Sequence, residues 1–278
     1  MPIHDQGYRR YAGRREAHGR TWLVVARAGV MERLRERKFL GLLLVAWIQF
    51  LVRSVLLYVA ANYPQATFFA ATPSMFRDFF ALQGVFVFFI TLYVGSGLIA
   101  NDRRANALQI YLSKPLTRVD YVVGKLATLL IFLTFVTWVP GILLLMMQIL
   151  FAGNLTFLKA NLFLFPAITV FAAVTVLTSS FTMLALSSLS KSRRFVAVMY
   201  AGLFFFTAAM YQVLRGITGS RVWVFISPRD VLDVIGDRIF RSTEPENLLP
   251  IALVTVVVLI AASVFVLERR VRGVEVVT

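Results

Sequence analysis

Six uninterrupted apolar runs limit what this chain can become. Their approximate bounds are 39–61, 79–100, 126–151, 162–189, 195–214 and 248–267. Each reaches the roughly 20 residues that a helix needs to cross about 30 Å of hydrocarbon. In hydrocarbon every backbone N–H and C=O must be paired within the chain, so a spanning segment is a helix or part of a closed barrel. Barrel strands alternate apolar and polar residues, and these runs do not. The pattern therefore predicts an all-α membrane protein with six transmembrane helices. Composition agrees: 59% of the 278 residues are hydrophobic, against about 45–50% in a soluble domain.

The net charge of +15 would suggest nucleic acid in a soluble protein. Its distribution gives another explanation. Of the 29 Lys and Arg residues, 21 fall in segments 1–38, 101–125, 190–194 and 268–278, seven fall in the alternate connectors, and Arg53 lies inside the first run. Lys and Arg mark the cytoplasmic side of a membrane helix. An even number of spans with both termini cytoplasmic satisfies this bias, and nucleic acid is not needed to explain the charge. The first apolar run begins near Phe39 and is too long for a signal-peptide core, so a cleavable signal is not expected. The chain has no cysteine, which excludes disulfides and thiolate chemistry.

Residues 1–20 are polar and basic and read as a flexible tail, with His4 and His18 as solvated tail residues. Residues 21–38 mix Trp22, Leu23, Val25, Ala26, Val30 and Leu34 with Arg27, Arg33, Arg35, Arg37 and Lys38. That mixture predicts an amphipathic helix in the membrane interface. The six-span domain then covers 39–278. Arg53 is the one formal charge well inside a run. Either it snorkels to the outer headgroups, or it serves a substrate headgroup or a subunit contact. In the fourth run Thr175, Ser179 and Thr182 share one helical face, as glue between helices or as the lining of a substrate path. In the last outer loop Ser227-Pro228-Arg229-Asp230 predicts a helix start. Val231, Leu232, Ile235 and Ile239 would form the apolar face of a short helix on or in the outer leaflet.

No HExxH, GxSxG or GxxxxGK[ST] motif occurs, and no carboxylate lies inside a run. The chain shows no catalytic apparatus and no residues for a carboxylate proton relay. Any work it does draws on energy from elsewhere.

The segment 101–125, NDRRANALQIYLSKPLTRVDYVVGK, lies between the second and third runs. Asn101 or Asp102 can cap a short helix over 102–112, whose Ala105, Leu108, Tyr111 and Leu112 share a face. Lys114-Pro115 ends it, and Thr117-Arg118-Val119-Asp120 is a variant capping box for the next helix. An acidic and basic cluster, a short helix and SKPLTRVDYVVGK directly after the second of six spans resemble the permease subunit of ABC-2-type transporters. Ser113, Lys114, Pro115, Leu116, Thr117, Arg118, Gly124 and Lys125 match the family pattern, and Asn106-Ala107 stands where Gly-Thr is common. The interfacial helix, inside termini and large final outer loop match too.

The resemblance implies a non-catalytic permease, most often an exporter, in a bacterial or archaeal inner membrane. It implies a second permease copy, identical or paralogous, and a cytoplasmic ATPase that carries ATP and Mg, with no cofactor on this chain. The 102–112 helix would be a coupling helix on the ATPase through Asp102, Arg103, Arg104, Leu108 and Tyr111, with Arg193 and Arg194 as a second contact. The first and fifth spans would face the sister chain, where Ala197, Ala201 and Gly202 permit close packing. Arg53, Thr175, Ser179 and Thr182 would belong to the substrate path. A non-transporting structural or assembly subunit, or a membrane enzyme, are the alternatives that composition leaves open.

Overall fold

The computed structural model describes residues 21–63, 72–107, 117–153, 156–242 and 247–271. Every regular element among them is helical. In chain order they are α1 (Thr21–Leu34), α2 (Arg37–Asn62), α3 (Pro73–Ile90), a π-turn (Thr91–Gly95), α4 (Ala100–Arg104), α5 (Arg118–Val136), α6 (Trp138–Ala152), α7 (Thr156–Ala160), α8 (Leu164–Leu189), α9 (Arg193–Thr218), a 3-10 turn (Val222–Ile226), α10 (Pro228–Ile239) and α11 (Leu249–Arg270). Six helical stretches are long and apolar enough to cross a membrane. They are α2, α3 through α4, α5 with α6, α8, α9 and α11, so the chain is compatible with a multi-pass integral membrane protein. The central helix is α8, which packs against α3, α5, α6, α9, α10 and α11.

Two spans are longer than their apolar runs. The second starts at Pro73, where the Thr72 hydroxyl accepts the Met75 amide. This places Arg77 inside a helix and not in an outer loop. The third starts at Arg118, on the predicted capping box: the Asp120 amide donates to Thr117 Oγ1 at 3.1 Å, and the Thr117 amide donates back to the Asp120 carboxylate. Midway, that span breaks at Thr137 because Pro140 has no N–H for the carbonyl of Val136. Gln83 of α3 repairs the loss. Its Nε2 donates to Val136 O at 2.6 Å and to Ala46 O of α2 at 3.3 Å. One buried amide thus clasps three spans, which explains a polar residue deep in an apolar run.

A helix forms in the segment expected to lie in the interface, as α1, but it packs differently from its apolar pattern. It lies along α5, and glycines set the crossing. A Cβ on Gly124 would meet Val25 Cβ at 2.6 Å and the Trp22 carbonyl at 2.8 Å, and one on Gly29 would meet Thr128 Oγ1 at 2.6 Å. Close helix approach through small residues is the usual packing solution in lipid. Arg33, expected on the polar face, is buried and paired with Glu36, while Leu23, Val24 and Met31 are exposed. The helix also stops at Leu34, short of the expected 38. Because the Trp22 carbonyl is backbone and cannot swing away, Gly124→Leu should lift α1 off α5. We expect limited proteolysis to release the N-terminal segment much faster from this variant, with the six-span core left resistant.

Candidate functional site

Three polar assemblies stand out in an otherwise apolar bundle, and two of them involve residues expected from the sequence. The first surrounds the break in the second span. After the π-turn the helix opens over 96–99 before α4 begins. Side chains of neighbouring spans take up the freed backbone groups. The Ser187 hydroxyl of α8 accepts the amides of Ile99 and Ala100, both at 3.1 Å, and donates to Ser96 O at 3.2 Å. Arg193 at the start of α9 donates to Tyr93 O at 2.8 Å and to Ser96 Oγ at 3.3 Å. Arg103 donates to Ser188 O. Asp102 does not cap a helix. Its carboxylate pairs with Lys125 at 2.7 Å and accepts the Tyr121 hydroxyl at 2.7 Å, both from α5.

The linker from α1 to α2 joins the same assembly. Glu36 pairs with Arg33 at 2.6 Å and accepts the Tyr93 hydroxyl at 2.6 Å. The Arg193 guanidinium sits over the Tyr93 ring, 5.2 Å from its centroid. Burial alone would push the Glu36 carboxyl up, but the Tyr93 hydroxyl and the Arg33 guanidinium outweigh it and hold the group below the ordinary carboxylate range.

The second assembly lies at the opposite end, and sequence reasoning missed it. Arg77 Nε donates to Asp237 Oδ1 at 2.6 Å, and its Nη2 donates to Asp233 Oδ1 at 2.8 Å and to the Asp233 carbonyl at 3.3 Å. The arginine thereby clamps α10 to the second span. Gly236 makes the approach possible, since a Cβ there would meet Phe171 at 2.9 Å and Arg77 Nε at 3.0 Å. The helix start is the predicted one: Ser227 accepts the Asp230 amide and Pro228 occupies the first turn. Val231, Val234, Ile235 and Gly236 are buried, so α10 dips into the bundle. The signal in the sequence was Asp233 and Asp237, four residues apart on one face of a helix otherwise apolar inward. Such a pair requires a cation from a neighbouring element.

The third assembly is the space between α3, α8, α9 and α10, a cavity of about 360 Å³. Phe80, Phe88, Phe171 and Phe204 form its apolar walls, Thr175, Ser179 and Tyr200 supply hydroxyls, and Arg229 and Asp233 stand on the α10 side. A narrow extension of about 30 Å³ passes Thr178, Thr182 and Leu203. The structure therefore brings Thr175, Ser179 and Thr182 onto one wall. Arg53 is elsewhere, half-exposed on α2, with no hydrogen bond or ion pair among the described residues. Ala201 packs against the chain's own core, Ala197 is half-buried and Gly202 is exposed. Arg104 and Arg194 are exposed, whereas Arg103 and Arg193 spend their donors within the bundle. Leu108 and Tyr111, the 108–116 part of the connector and the 1–20 tail lie outside the described residues. Among the described residues no cluster of His, Cys, Asp or Glu is placed to hold a metal.

The chain matches no protein-family model and no curated protein.

Two outcomes follow from the ion pairs. Breaking a fully buried pair from one side costs about 3–5 kcal/mol, and the cost here is smaller because Asp233 is 42% and Asp237 22% exposed. Arg77→Gln should therefore lower the unfolding temperature in detergent, and Asp233→Asn with Asp237→Asn in the same chain should recover part of the loss. For Glu36, a depressed carboxyl contributes stability that is fully present above its unfolded pKa and is lost as pH falls through the folded one. We expect protease sensitivity of the α1–α2 junction to rise on acidification below the ordinary carboxylate range, and Glu36→Gln to remove that pH dependence.

Proposed function

We propose that the chain is the transmembrane permease subunit of an ABC-2-type transporter. It would export substrate as one of a pair of permeases, identical or paralogous, driven by ATP and Mg on a separate cytoplasmic ATPase. The observation that carries this reading is the bonding of the connector. Residues 100–104 are tied to the third span through Asp102 and Lys125, and to the fourth through Arg103 and the Ser188 carbonyl. The fifth span joins through Arg193, which holds the break just upstream. A push on this end is delivered to three spans at once, since buried charge-assisted bonds are short and directional. A connector that merely closed a loop would need none of these ties. The cavity on the far side of the same helices supplies a place for cargo, and the basic end supplies the cytoplasmic face.

The bonding also divides the connector's charges by role. Arg103 and Asp102 bond internally, whereas Arg104 is exposed and available to meet a partner. When the chain is affinity-purified from its native membrane, mass spectrometry should identify a co-purifying ATPase of the cassette type. Arg104→Glu should lower its recovery at least about tenfold, because a like-charge juxtaposition at an interface costs several kcal/mol, while leaving the unfolding temperature of the chain unchanged. Arg103→Glu should instead lower that temperature. Undiminished ATPase recovery with Arg104→Glu would refute the proposed coupling.

A further inference from the structure

We propose that the cavity between α3, α8, α9 and α10 binds a single-chain amphiphile with an anionic head rich in acceptor oxygens. As a statement about cargo this rests on the permease reading. As a statement about binding it does not.

Three features of the molecule converge on this ligand. The first is a set of free donors. Many hydroxyls elsewhere in the spans bond back to the carbonyl four residues earlier: Thr128 to Gly124 at 3.1 Å, Thr137 to Leu133 at 2.7 Å, Thr255 to Ile251 at 2.7 Å and Ser263 to Leu259 at 2.8 Å, whereas Ser54, Thr91 and Ser180, which do not line the cavity, are also buried without a partner. Bonding back is the ordinary resting state of such residues in a membrane helix. Thr175, Thr178 and Thr182 do not follow it. Their hydroxyls are buried without a hydrogen-bond partner. Thr175 is only 9% exposed and lines the main cavity, and the other two line its extension. Unpaired buried donors are costly, and acceptor oxygens of a bound head would satisfy them.

The second feature is room made by a missing side chain. Gly84 sits inside α3, where glycine weakens a helix. At Gly124, Gly141 and Gly236 a Cβ would collide with a neighbour within 3 Å, so close packing explains them. A Cβ on Gly84 would meet nothing within 4 Å, and the residue lines the cavity. Its effect is to keep the space open. Val85, Phe89 and Phe205 line the same space and are each about half-exposed on the lipid-facing surface. The cavity is thus reached sideways from the bilayer, between α3 and α9, which suits a molecule that already lies in a leaflet.

The third feature is the charge at the α10 side. Asp233 and Asp237 are both held by Arg77. Asp230 accepts the Ser227 hydroxyl, and burial with the nearby Asp233 pushes its carboxyl up against the opposing pull of that hydroxyl and of Arg229. Arg229 lies over the Phe204 ring, 5.7 Å from its centroid, and has no ion pair among the described residues. An anionic head at the mouth meets this guanidinium, the threonine hydroxyls bind its oxygens, and the chain runs along Phe80, Phe88 and Phe204.

The test uses the full chain purified in an uncharged detergent, with binding read by native mass spectrometry. The probes are oleate, oleoyl-lysophosphatidylglycerol and the uncharged monoolein. We expect at least one anion to bind about tenfold or more tighter than monoolein, a difference of about 1.4 kcal/mol. Oleate alone would assign a carboxylate head, and the lysophospholipid alone a phosphodiester. Arg229→Gln should level the anions with monoolein. Gly84→Phe should abolish binding, while Gly84→Ala retains it. Thr175→Val, which keeps the shape of the side chain, should weaken anion binding several-fold even if Gly84→Phe proves poorly folded. Equal binding of monoolein, no anion binding, or wild-type binding by both Gly84→Phe and Thr175→Val would overturn the proposal. No ATPase is present in this assay, so a negative result leaves the permease reading to the Arg104 experiment.

Discussion

A backbone amide or carbonyl in hydrocarbon must find its partner within the protein, and the arrangement of this bundle follows from where its helices break that rule locally. The second span unwinds after Gly95, and the third loses a bond at Pro140. Each break is met by a side chain from another span. Ser187 and Arg193 serve the first, and Gln83 serves the second. Removing any of these would leave a buried polar group unpaired, so the breaks fix which spans are neighbours and at what height. The apolar contacts around them are extensive but interchangeable by comparison, since lipid tails are as apolar as leucine.

The two ends of the bundle use charge in different ways. At the basic end, ion pairs and tyrosine hydrogen bonds tie short segments to their neighbouring helices: Glu36 to Arg33 and Tyr93, Asp102 to Lys125 and Tyr121. These bonds hold Asp102 and the α1–α2 linker against the helices beside them. At the other end a single arginine in a span draws a loop helix down into the bundle. Between them lies the least filled part of the molecule, where α8 presents unpaired hydroxyls to open space. The bonded end and the hollow at the other both rest on α8, through the Ser187 hydroxyl and the Ser188 carbonyl on one side and Thr175 and Ser179 on the other.

Several elements were legible because local chemistry decides them. The Thr117 capping box and the Ser227-Pro228 helix start appear where the side chains dictate, and Thr175, Ser179 and Thr182 share a wall as their spacing implies. Other assignments depended on partners far away in the chain. Asp102 reads as a helix cap next to its own backbone, but Lys125 and Tyr121 claim it. Arg33 reads as a solvent-facing charge, but it is buried and pairs with Glu36. Arg77 was counted as a loop cation because its helix extends beyond the apolar run that announces it. Arg103 and Arg193 stood among candidates for a partner surface, and each also donates within the bundle, to the Ser188 and Tyr93 carbonyls.

The sequence by itself determined the class of the protein. Six runs of sufficient length, the charge bias of the connectors and the caps at helix starts are local or additive properties, and each acts through hydrogen bonds or transfer energies that need no knowledge of the neighbours. The tertiary structure decided which polar groups remain free. A hydroxyl in a span can bond back to its own helix, across to another or to a ligand, and an arginine can meet an acid or a partner. Only the packed arrangement shows that the Ser187 hydroxyl, the Gln83 Nε2 and the Arg77 Nε and Nη2 are engaged while the Thr175 hydroxyl is not, because the competing partners lie tens of residues away in the chain.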